Sequence, residues 1–276
     1  MITNFDTNKV FFAKGLNSAK YMEISRRLVD FFHCHNIVWE QLHQTSSPFH
    51  IWARDYMPVQ VRKDKFVRFL YTPDYLRDSP EYRPDTNSIL SDLGVEVVDS
   101  DVILDGGNVV SCGDKVIMTD KVIRENPNYD RNKLIDKLSV LLEAEIVLVP
   151  QDSYEEYGHA DGMVRHLGGS RVLLNNYCDF DKALGKKLRK ALKPHFEITE
   201  LHYGSHTPRS WAYLNFLHVG QHIFIPQMED KLAEKAFQQI SECFPEYECH
   251  PIRGCESIVN EGGALNCSTW NVRMDL

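Results

Sequence analysis

One short pattern passes five times along this chain of 276 residues, and a repeat of that kind constrains the fold more than any single motif. β-rich runs occur at KVFFAKG (9–15), VRFLYT (67–72), KVIMTD (115–120), RVLLNN (171–176) and HIFIPQ (222–227). Each leads through a polar or proline-containing loop, in most copies, into a helical pattern. Apolar helical faces are formed by Leu28, Val29 and Phe32, by Leu134, Ile135, Leu138, Leu141 and Leu142, by Leu184, Leu188 and Leu192, and by Leu232, Ala236, Phe237, Ile240 and Phe244. Residues 87–93 make the second and weakest helix. A second β-like run then begins at 36, 95, 145, 197 and 247, giving spacings of 59, 50, 52 and 50 residues. A third follows in WARDYMPVQV, LDGGNVVSC, HADGMVRHL, AYLNFLHVG and LNCSTWNVR. The unit is strand–helix–strand–strand, with no linker long enough to divide the chain, so residues 1–276 are expected to form one α/β catalytic domain. The first run has no preceding partner and the last has no following one. Pairing them closes a ring.

Alternating strands and helices also describe an ordinary open α/β sheet. What favours a ring is the phase of the reactive side chains. Asp55, Asp105, His159 with Asp161, Asn215 and Cys267 each open the third run of their unit, at gaps of 50, 54, 54 (Asp161 to Asn215) and 52 residues. A closed ring of five units brings such positions to one mouth.

Taken singly, each of these residues has a plain structural reading. Cys267, in NEGGALNCSTWN, follows Gly262 and Gly263, which permit close approach of the backbone, yet a cysteine in a sheet commonly serves as a small buried hydrophobe. The other six cysteines have no comparable setting and are read as structural. His159 and Asp161 would share one face if extended. A zinc site there would need further ligands; HEXXH is absent, and His166 has no motif around it, so metal ranks second. His202, His206, His218 and His222 are read as packing or surface groups. Asp55 beside Arg54 reads as a local ion pair, Trp52 as core, Asp105 before two glycines as a bend, and Asn215 as a partner for backbone groups. Together they offer three carboxylates, an imidazole, a thiol and an indole. That set suits a guanidinium, which pairs with carboxylates bidentately and stacks on aromatic faces. A serine-protease-like triad needs one carboxylate behind its histidine rather than several around it.

The bulk properties agree with a small cationic ligand. A net charge of −8 disfavours nucleic acid and acidic membranes as partners. The N-terminus lacks a signal-peptide pattern, and no run reaches the roughly 18 apolar residues of a membrane span. Seven cysteines without a CxxC pair argue against a disulfide framework or structural zinc, and point to a reducing cytoplasm.

With these residues in place, the chain resembles the agmatine deiminase and bacterial-type peptidylarginine deiminase family, within the guanidino-group-modifying (pentein) superfamily. WARDYMP, LDGGNVV, GHADGMV, AYLNFLHVG with IFIPQ, and GGALNC carry the resemblance, in that order, from about residue 50 onward. It implies a five-bladed pseudo-symmetric α/β propeller and a cofactor- and metal-free hydrolase that removes ammonia from agmatine, an arginine-like compound or peptidyl arginine; with agmatine the reaction would feed putrescine biosynthesis. It also implies that Cys267 is the nucleophile and His159 the general acid and base. Asp55 and Asp161 would grip the guanidinium, Trp52 would flank it, and Asn215 would support the site. Asp105 would be the third catalytic residue, in contact with the departing nitrogen; it stands where agmatine deiminases generally carry glutamate and amidinotransferases of the superfamily carry aspartate. Amidino transfer, or guanidine binding with weak turnover, is therefore the alternative.

Overall fold

In the computed structural model, which describes residues 1–43, 50–155 and 157–275, the chain forms fifteen strands. They are β1 (Lys9–Ala13), β2 (Val38–Leu42), β3 (Val59–Arg62), β4 (Lys65–Leu70), β5 (Val97–Ile103), β6 (Val110–Ser111), β7 (Lys115–Thr119) and β8 (Glu145–Val149). The second half adds β9 (Val164–His166), β10 (Arg171–Leu174), β11 (Glu197–Glu200), β12 (Leu217–Val219), β13 (His222–Gln227), β14 (Glu248–Arg253) and β15 (Thr269–Val272). These make five three-stranded sheets, ordered β15-β1-β2, β3-β4-β5, β6-β7-β8, β9-β10-β11 and β12-β13-β14.

Every sheet has the same internal logic. Its middle strand, one of the five first runs, pairs in parallel with the second run, and a parallel partner demands a crossover helix. Its other neighbour is a short antiparallel strand. In four sheets a tight turn joins that strand to the middle one. A blade therefore takes the third run of one sequence unit and the first two of the next. The offset leaves β15 at the end and β1 at the start, and these pair antiparallel with Lys9 opposite Val272 and Phe12 opposite Thr269. The ring closes as the repeat requires.

The crossover helices bury the faces read from the sequence. In Met22–Cys34 the buried residues include Ile24, Leu28 and Phe32; in Arg131–Leu142 they are Leu134, Leu138 and Leu142. Each large apolar side chain fully withdrawn from water contributes about 1.5–3 kcal/mol. Asp130 and Asp181 cap their helices by accepting hydrogen bonds from Lys133 N and Leu184 N at 3.2 and 2.9 Å. The expected weak helix is present as Thr86–Leu93. Among the described residues no helix is long and apolar enough to cross a membrane.

The third runs differ from expectation at their starts. Asp55 lies in a single helical turn, Ala53–Tyr56; Asp105 and His159 precede 3-10 turns, Gly106–Asn108 and Ala160–Gly162; Asn215 ends the turn Trp211–Leu214. Asp161 therefore sits inside a turn rather than two places along a strand from His159. These turns are closed by their own backbone bonds, Asp55 N to Trp52 O (3.1 Å) and Asn108 N to Asp105 O (3.0 Å) among them. Only after the turn does the chain straighten into the short strand.

Candidate active site

The turns from different blades meet around a cavity of about 260 Å³, lined by Trp52, Asp55, His159, Asp161, Asn215 and Cys267, with Glu155, Trp211 and several tyrosines. Six of the seven residues selected from the sequence face this one space. The seventh, Asp105, stands behind His159, where its Oδ2 lies 2.8 Å from His159 Nε2.

The imidazole is held from both sides. Its Nδ1 is 3.6 Å from Asp55 Oδ1, and that same oxygen accepts a hydrogen bond from Gly107 N at 3.0 Å. Burial opposes charge on the ring, but the carboxylates of Asp55 and Asp105 outweigh it and raise the pKa to about 9. His159 is thus an imidazolium at neutral pH. Burial, with the nearby charges of Asp105 and Asp161, lifts the Asp55 carboxyl to about 7 against the pull of His159. Burial also pushes Asp105 upward, yet its bonds and charge contacts with His159 and Lys121 hold it below its ordinary value.

The Cys267 thiol lines the same cavity. Cys267 Sγ is 3.6 Å from Asp161 Oδ2, which also accepts a hydrogen bond from Asn266 Nδ2 at 2.7 Å. Cys267 N donates to Asn215 Oδ1 at 3.2 Å, so Asn215 fixes the backbone beneath the sulfur. Its Nδ2 is buried and has no hydrogen-bond partner among the described residues. Burial, followed by the charges of Asp161 and Asp55, raises the thiol well above its ordinary range. Without a cation between those carboxylates, Cys267 is protonated.

Several glycines around the site leave no room for a side chain, two of them against residues of the site itself. A Cβ on Gly263 would lie 2.2 Å from the Trp52 ring, and one on Gly107 would lie 2.6 Å from both Asp55 Oδ1 and His159 Nδ1. Gly107→Ala is expected to fold but to separate the acid from the imidazole. A displacement near 1 Å at such a centre costs about 10²-fold in rate. Wild-type kcat/KM in Gly107→Ala would remove the Asp55–His159 pairing from the account.

Sequence reasoning did not find Lys121, Glu155, Tyr75 or Tyr157. Lys121 is only 1% exposed, with Nζ 2.6 Å from Asp105 Oδ2, 3.3 Å from Glu125 Oε1 and 4.8 Å from the centre of the Tyr75 ring. The available signal was its place directly after the apolar run KVIMTD, with Glu125 four residues on. Glu155 accepts hydrogen bonds from the backbone N–H groups of Tyr157, Gly158 and His159, and so shapes the loop that delivers the histidine.

A closed circle of five three-stranded blades, with its side chains converging on one mouth, defines the pentein class of α/β propeller. The chain belongs to the Porphyromonas-type peptidyl-arginine deiminase family, whose profile matches residues 2–272. It is 22% identical over 224 residues to a Vibrio parahaemolyticus protein provisionally assigned as an agmatine deiminase, a match covering 67% of this chain and 62% of the relative's length. The structure of C. jejuni agmatine deiminase superposes with a TM-score of 0.75 at 17% identity, covering 100% of this chain and 96% of that one. An amidinotransferase of saxitoxin biosynthesis from Microseira wollei shares the fold at a TM-score of 0.67 and 15% identity, covering 100% and 97%.

Proposed function

We propose that residues 1–276 act as one catalytic unit, a deiminase that hydrolyses a small guanidino compound to its ureido product and ammonia. The observation that carries this reading is the convergence of Asp55, His159, Asp161 and Cys267 on one buried cavity. At about 260 Å³ the cavity falls below the roughly 300–1,000 Å³ of drug-sized ligand sites, which favours agmatine or a free arginine derivative over a peptide.

A guanidinium held by Asp55 and Asp161 carries the charge needed to activate its own nucleophile. Its arrival offsets the carboxylates that keep Cys267 protonated, so the thiol loses its proton to solvent as the complex forms. The thiolate attacks Cζ, forming the C–S bond. The imidazolium of His159 then protonates the departing nitrogen, and ammonia leaves as its C–N bond breaks. Neutral His159 next takes a proton from water; the resulting hydroxide adds to the same carbon, and the C–S bond breaks to release the ureido product. Asp105 acts as a positioning residue that keeps His159 oriented and charged. Asn215 supports the nucleophile by accepting from Cys267 N, and Trp52, which lines the cavity, would flank the planar cation. Seven free cysteines, one of them the nucleophile, suit a reducing compartment such as the cytoplasm.

A ureido colour assay over a panel of guanidines, including an arginine peptide and free amines as acceptors, tests the reading. Citrulline-like product from the small guanidines is expected. Amidinated amine in its place would assign amidino transfer, and neither product would refute both. The same assay gives a pH profile. Asp55 must be ionised to hold the substrate and His159 must be protonated to act as acid. The log of kcat/KM should therefore rise as Asp55 ionises through about 7. In the complex Cys267 has already lost its proton, so kcat should fall as His159 deprotonates through about 9. A profile still rising above pH 10 would show that no protonated group of this kind is needed.

A further inference from the structure

We propose a second site, away from the cavity, in which His35, His222, Glu248 and His250 bind one divalent transition-metal ion of the zinc class. Each residue offers one ligand atom, and the four atoms all lie within 4.8 Å of one another. His222 Nδ1 is 3.2 Å from His250 Nε2. Glu248 Oε2 is 3.6 Å from His35 Nδ1, 3.6 Å from His222 Nδ1 and 3.9 Å from His250 Nε2. Zinc bonds of about 2.0–2.1 Å in a tetrahedron separate neighbouring ligand atoms by roughly 3.3–3.4 Å. The carboxylate contacts are too long for direct hydrogen bonds, but they match groups arranged around a common centre.

The fold holds the donors ready. In the β13–β14 pair His222 lies opposite Glu248, and His250 lies opposite Phe224. The ring of Phe224 stacks on His250 at 5.1 Å, and Phe31 stacks on His35 at 6.1 Å with planes 8° apart. His35 is the C-cap of the helix Met22–Cys34, and the partial negative charge at that end favours a cation. Three imidazoles and one carboxylate suit zinc, cobalt or nickel, whereas magnesium and calcium favour oxygen donors. The ion would tie the crossover helix of the β15-β1-β2 blade to the neighbouring β12-β13-β14 blade, beside the point where the ring closes. His222 and its neighbours would then be ligands rather than packing groups.

The test uses full-length Cys267→Ala protein treated with a chelator, so that the thiol in the cavity takes no part. One equivalent of Co²⁺ is expected to give the visible bands of a tetrahedral centre without a thiolate charge-transfer band. Zn²⁺ at about a hundredfold above its Kd should raise the melting temperature by about 5–10 °C. His222→Ala, His250→Ala and the surface variant Glu248→Gln should each weaken binding at least about tenfold. The proposal is overturned by no binding in the parent, by unchanged affinity in all three variants, or by a thiolate band. That band would move the ion to Cys178, Asp179 and His202, whose ligand atoms also lie within 4.8 Å of one another.

Discussion

Cys267→Ala is expected to lower kcat by at least about 10⁴-fold, the scale on which enzymes lose rate when a covalent nucleophile is removed. Substrate binding should survive, because Asp55 and Asp161 do not depend on the sulfur for their positions. Asp55 is held by Gly107 N and Asp161 by Asn266 Nδ2. The variant should therefore bind guanidines and release no ammonia. Calorimetry and single-turnover assays separate the two properties. Ammonia release within tenfold of wild type would remove Cys267 from the chemistry and leave the cavity as a binding site.

Lys121→Met should produce the largest loss of stability at any single position near the site. Lys121 Nζ neutralises Asp105 and Glu125, at 2.6 and 3.3 Å, where water cannot replace it. Truncating one member of a buried ion pair costs about 3–5 kcal/mol, because the remaining charge stays buried. Urea unfolding measures the loss. A purely structural role would end there. Lys121 also holds the His159 pKa down, against the two carboxylates that raise it. Removing its charge should move the alkaline limb of kcat above about 9, toward higher pH. Stability within about 0.5 kcal/mol of wild type, with an unmoved alkaline limb, would contradict the geometry drawn for Asp105.

Stability should carry the same signature of His159. Its folded pKa of about 9 lies above the ordinary 6.5. The stabilisation it gives is therefore complete below about 6.5 and is lost as pH rises through about 9.

The blades were legible in the sequence because their strands are short apolar runs at nearly constant spacing, and their helices carry leucines at helical intervals. KVIMTD and EIVLVP became β7 and β8 almost residue for residue. LDGGNVVSC was less transparent. Most of it is a glycine-rich turn, and only Val110–Ser111 pairs as a strand, since the local need is to bring Gly107 N against Asp55. The site residues stood out because each opens a repeat. Lys121 did not, because a lysine following a strand ordinarily reaches solvent. Its burial depends on Asp105 and Tyr75, presented by other segments. The histidine cluster was hidden for the same reason: His35 meets Glu248 only once the two ends of the chain have closed the ring.

Trapping the enzyme on a guanidino substrate and mapping the adduct by peptide mass spectrometry tests the central claim most directly. An amidino group carried by the Cys267 peptide, lost again as ureido product accumulates, is the result expected. Steady turnover with that peptide unmodified throughout would contradict it.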